Sequence, residues 1–162
     1  MNIERRHSGA SLADNSMAPA SRRLRVGRHS EPGQYYLLTA CCQDRAKVFA
    51  DPGIATVALD CAQWLDREGR TTLLSVVVMP DHVHMVIGLR SVSLPAVMHA
   101  FKSYVAHAIR QRKIWQEGYH DRGIRDEAGL RSLVEYCLHN PVRAGLVEDF
   151  HRYPYWWCRW EV

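Results

Sequence analysis

No stretch of this 162-residue chain is apolar for long enough to cross a membrane; a spanning helix needs about 20 such residues. The opening residues, Met1 to His7, lack the apolar run of a secretory signal. Cysteine is sparse and odd in number: Cys41, Cys42, Cys61, Cys137 and Cys158 show no C-x-x-C spacing. This excludes a disulfide framework and a cysteine-built zinc site, and points to reduced thiols in the cytoplasm. No internal repeat is present, and the length suits one domain with a real core. No acidic metal cluster stands out, which disfavours a metal-dependent hydrolase of small substrates. Net charge is only +4, a weak pointer toward a polyanionic partner.

Hydrophobic residues make up 47% of the chain, which places it among globular proteins. Residues 1–28 are rich in Ser, Ala, Arg and Asn without periodicity and read as a flexible basic N-terminal arm. Residues 29–162 read as a single folded domain. Arg22, Arg23, Arg25 and Arg28 cluster in the arm, and Lys102, Arg110, Arg112 and Lys113 in the middle. Such clusters are either a solvated surface or phosphate contacts.

Within the domain, residues 34–41, 73–79 and 82–89 have strand composition. Asp51-Pro52-Gly53 is a turn signal, and apolar spacing predicts a helix over 54–67. Ser93 and Pro95 open a long helix that the pattern carries to about residue 112. A connector over 115–123 ends in a short strand. Asp126 then starts a helix that Pro141 limits, so Asn140 lies near its end. An aromatic tail follows. This order predicts an α+β fold: a ferredoxin-like antiparallel sheet with helices packed on it, on one face.

His82-Val83-His84 carries the most chemistry. Residues i and i+2 of a strand share a face, so the two imidazoles stand side by side as a bidentate site for a divalent cation. Tyr136 and Asn140, four apart on a helix, also share a face. Tyrosine can attack a phosphodiester if a cation stabilises the developing charge. Asn140 offers a carbonyl oxygen as a third donor. This neutral, open ligand set suits Mg²⁺ or Mn²⁺ once a phosphate enters; zinc would accept the histidines too.

Three ordered segments together resemble a known family: 77–86 around Pro80-Asp81-His82-Val83-His84, 115–127 from Trp115 to Glu127, and 136–147 from Tyr136 through Asn140-Pro141-Val142-Arg143. They are similar to the single-tyrosine HUH (IS200-like) transposases, in the branch called REP-associated tyrosine transposases. The resemblance covers about residues 30–160. It implies an HUH-endonuclease-type fold and cleavage of single-stranded DNA beside hairpins of repetitive palindromes. It assigns Tyr136 as nucleophile, forming a 5′-phosphotyrosine, and His82, His84 and Asn140 as ligands of Mg or Mn. Tyr119 is the competing tyrosine; Tyr136 is preferred because Asn140 lies one turn beyond it.

The insertion-sequence relatives are dimers that exchange the tyrosine helix, whereas the REP-associated branch implies a monomer, the preferred state here. Arg22, Arg23, Arg25, Lys102, Arg110, Arg112, Arg125 and Arg143 are the candidate DNA contacts. The expected location is cytoplasmic, at the nucleoid. The alternative is a catalytically silent protein that binds repeat hairpins as a regulator; the full set of Tyr136, His82, His84 and Asn140 argues against it.

Overall fold

A computed structural model describes residues 30–124 and 126–162. The arm over 1–28, with Arg22, Arg23, Arg25 and Arg28, lies outside the described residues, as does Arg125. In chain order the elements are β1 (Tyr35–Cys41), α1 (Pro52–Arg67), β2 (Thr71–Met79), β3 (His82–Leu89), α2 (Leu94–Ala108), β4 (His120–Ile124), α3 (Glu127–Leu138), α4 (Asn140–Arg143) and β5 (Trp156–Cys158). The strands form one antiparallel sheet in the order β4-β1-β3-β2-β5. The first four strands and two helices follow the βαββαβ order of the ferredoxin-like motif. The fifth strand comes from the aromatic tail, which showed no strand alternation.

Helix starts follow their caps. Asp51 accepts hydrogen bonds from the Gly53 and Ile54 amides at 2.8 and 3.1 Å, so α1 begins at Pro52, earlier than its apolar spacing shows. Ser93 accepts from the Ala96 amide and Asp126 from the Gly129 amide. Helix α2 stops at Ala108, short of the expected residue 112. Its end is a Schellman turn: Gln111 N–H donates to Ala106 O and Arg110 N–H to His107 O. Arg110 takes the left-handed position at φ 56° that Gly69 fills after α1.

The helices do not share one face, as the sequence led us to expect. One core packs Leu38, Ala40, Val76, Val78, Val83, Met85 and Ile87 against α1 and α2. A second packs Leu37, Leu74, Val77, Met79 and Val86 against α3, Phe150 and Tyr153. The reason lies in β2 and β3, whose apolar residues run consecutively. Such strands are buried on both sides and need cover on both. The tail is tied down by polar contacts: Tyr153 Oη donates to Val78 O at 2.7 Å, and the Arg159 guanidinium reaches both Asp66 carboxylate oxygens and Leu73 O. Among the described residues no helix is long and apolar enough to cross a membrane.

Candidate active site

Pro80 and Asp81 form the turn between β2 and β3, and His82 is the first residue after it. The register sets His84 between Thr39 of β1 and Val77 of β2, and His82 between Cys41 and Met79. Strand alternation sends these side chains to the face that α3 covers. The two imidazole rings stand nearly perpendicular, with centroids 4.7 Å apart and their Nε2 atoms 3.2 Å apart. Each outer nitrogen has its own partner. His84 Nδ1 lies 2.8 Å from Thr39 Oγ1, and His82 Nδ1 lies 2.6 Å from Asp81 Oδ1. Asp81 is held in turn by Arg45 at 3.0 Å. Outer contacts of this kind fix ring orientation in metal-binding histidines.

Both rings are held neutral. Burial pushes His84 down to about 3, helped by the charges of His82 and Arg143; the Asn140 side chain opposes the shift. Burial also lowers His82, against the Asp81 hydrogen bond. A neutral imidazole keeps one N–H, and the Thr39 hydroxyl can donate or accept. With Thr39 accepting from His84 Nδ1 and Asp81 from His82 Nδ1, both Nε2 lone pairs face the same point. Two nitrogens 3.2 Å apart suit one shared cation, given metal–nitrogen bonds of about 2.0–2.1 Å. Without a cation, His84 Nε2–H can donate to His82 Nε2 while Thr39 donates to Nδ1. The donor set therefore fits a divalent metal. Among the described residues no group of three or more His, Cys, Asp or Glu converges; the side chain beside the pair that offers a further oxygen donor is that of Asn140, which reaches His84.

Helix α3 reaches the histidines through Cys137. This buried thiol points at His84 O, with Sγ 3.8 Å away. One residue earlier, Tyr136 sits at the rim, 44% exposed, with its ring 6.2 Å from that of His84. The last carbonyls of a helix lack helical partners. Here Asn140 Nδ2 donates to Tyr136 O and Cys137 O at 3.2 and 3.4 Å, and Arg143 also donates to Tyr136 O. The Arg143 guanidinium lies over the Tyr136 ring, 4.0 Å from its centroid. Asn140 opens α4 rather than closing α3, because Pro141 fits the first turn of a new helix.

The structure thus brings His82, His84, Tyr136, Asn140 and Arg143 together. Tyr119, the competing tyrosine, is buried in the other core, under α2. His120 is exposed on edge strand β4, one strand beyond Thr39. His139 packs on Phe150 and bonds Glu135 O. Lys102 is engaged within the fold: its Nζ donates to Gln116 O and Gly118 O, both at 2.7 Å. Arg110 and Arg112 line a depression with Ser103 and His107 at the end of α2, a helix of the face opposite the histidines. Sequence reasoning missed Thr39 and Arg45. Nothing in their local sequence marks them; Asp81 was read only as a turn residue, although its place beside His82 was a signal for the contact it makes.

The model of the family described as transposase IS200-like matches residues 31–136. A Haemophilus influenzae protein named as a REP-associated tyrosine transposase is 25% identical over 140 residues, 76% of this chain and 78% of its own. The REP-associated tyrosine transposase of Escherichia coli is 28% identical over 81 residues, 49% of each chain. The solved structure of a REP-associated tyrosine transposase bound to a REP hairpin superposes with a TM-score of 0.68, at 22% identity, covering 80% of this chain and 79% of that one. That last likeness is one of fold. With well over half of its length matched by the family model, this chain belongs to the IS200-like transposases, enzymes of the single-tyrosine type.

Proposed function

We propose that this protein is a divalent-metal-dependent endonuclease and strand transferase acting on single-stranded DNA at palindromic repeat hairpins, through a covalent 5′-phosphotyrosine on Tyr136. The observation that carries this reading is the exposed Tyr136 ring standing 6.2 Å from His84, above two imidazoles whose Nε2 atoms converge. His82, His84 and Asn140 would hold Mg²⁺ or Mn²⁺, which lowers the cost of negative charge on the attacked phosphate. Tyr136 Oη forms the bond to phosphorus as the P–O3′ bond breaks. The phenolic proton passes to water, and the 3′ oxygen leaves with the bonding pair and is protonated. One phosphoester replaces another, so a second 3′-hydroxyl can reverse the step and join strands.

Several features support the setting of this chemistry. The hairpin-bound relative shares the fold. Helix α3 covers the histidines of its own chain, which supports a monomer. The cytoplasm, at the nucleoid, is where such DNA is met.

The test is a denaturing adduct assay with Mg²⁺ or Mn²⁺ and single-stranded repeat hairpins. A DNA-linked peptide at Tyr136, lost with Tyr136→Phe and with EDTA, is expected. Hairpin binding without an adduct in either metal would instead make the protein a silent binder.

A further inference from the structure

The Tyr136 ring is exposed, and an exposed aromatic side chain samples several rotamers unless something holds it. Its helix does not hold it, since the residue sits in the last turn of α3 and its side chain is 44% exposed, while the neighbouring Cys137 is buried. What does touch it is Arg143. That side chain leaves α4 two turns later and comes back over the ring. It makes two contacts at once: the guanidinium stacks on the ring at 4.0 Å, and one of its nitrogens donates to Tyr136's own carbonyl. A planar fork can do both together; a lysine ammonium cannot. The carbonyl contact anchors the guanidinium plane, and the plane then limits where the ring can turn. Asn140 bonds the same carbonyl, so the residue beside His84 and the residue over the ring share one anchor point.

We propose that Arg143 is a positioning residue for the nucleophile: it clamps the Tyr136 ring toward the histidine pair, rather than serving chiefly as a contact to DNA phosphate. The proposal rests on Tyr136 being the nucleophile for its kinetic consequence, though not for the clamp itself. Its Pro141 neighbour contributes by starting α4 at once after α3, which brings Arg143 back within reach of Tyr136.

The test uses the full chain, with Arg143→Ala and Arg143→Lys. At saturating hairpin, Arg143→Ala slows first-order adduct formation by about 10²-fold, the effect of a misplaced reacting group. Hairpin Kd stays within about twofold of the unsubstituted protein, the reverse of what loss of a phosphate contact gives. Arg143→Lys, which keeps the charge and loses the stacked fork, recovers less than a tenth of the lost rate. A weakened Kd with an unchanged saturated rate overturns the proposal in favour of a phosphate contact. Full rescue by lysine overturns it in favour of bare charge.

A second readout needs neither DNA nor metal. In protein carrying 3-fluorotyrosine, the ¹⁹F resonance of position 136, identified by its loss in Tyr136→Phe, shifts and narrows in Arg143→Ala as the ring is released. An unchanged resonance overturns the clamp. If the unsubstituted protein forms no adduct, the nucleophile assignment falls while this spectrum still decides whether Arg143 holds the ring.

Discussion

Apart from Thr71 at the start of β2, the sheet face under α1 and α2 is apolar across its three central strands, whereas the face under α3 gives up apolar positions to Thr39, Cys41, Ser75, His82 and His84. The same strands supply both. Val83 and Met85 of β3 enter the first core while His82 and His84, in between, turn to the second. The first face has two helices and a nearly continuous set of buried apolar side chains. The second has one helix, one very short helix and an aromatic tail. The difference teaches how a small domain keeps reactive groups rigid. The histidines borrow the stiffness of a central strand whose other side is locked in a close-packed core. Their own side can then afford a rim where Tyr136 meets solvent.

If the first face supplies rigidity and the second the chemistry, substitutions should separate them. The largest effect expected on stability comes from Phe101, fully buried on α2. Phe101→Ala should cost about 3–5 kcal/mol, read from urea denaturation, with the adduct rate per folded molecule unchanged at low temperature. A large fall in that rate would break the division between the faces.

Acid should act on the second face. The unfolded chain protonates His84 below its ordinary value of 6.5, while the folded protein keeps it neutral down to about 3. Between those values the unfolded state binds more protons, so stability falls as pH drops through this window, by up to about 1.4 kcal/mol per pH unit. In metal-free protein His84→Leu should flatten this slope; an equally steep slope in the variant would place the acid sensitivity elsewhere.

The smallest effect concerns the end of α2. Arg110 occupies a left-handed position without being glycine. Arg110→Gly should raise stability by on the order of 1 kcal/mol. Hairpin affinity measured on the same variant sharpens the comparison, since an unchanged Kd removes Arg110 from the candidate DNA contacts.

Much of the site was legible before the structure. His82 and His84 declared themselves because strand period is two and they are two apart. Tyr136 and Asn140 did so because helical neighbours are four apart. Local signals of this kind need no knowledge of distant residues. Thr39 and Arg45 were not legible, since their partners lie 45 and 36 positions along the chain and meet them only through sheet register and an ion pair. The α2 boundary was misread because apolar spacing continues to Ile109, while the Schellman hydrogen bonds that end the helix leave no such mark.

By itself, then, the sequence determined the first four strands and the three long helices, the pairing of chemical groups within an element and the family to which they are similar. Those follow from backbone periodicity and short-range sterics. Only the tertiary structure decided that α3 crosses to the second face, that Tyr136 rather than Tyr119 stands over the histidines, and that Arg143 returns to cover it. Each of these depends on which apolar surfaces cover which, and burial is a property of the whole chain rather than of any segment.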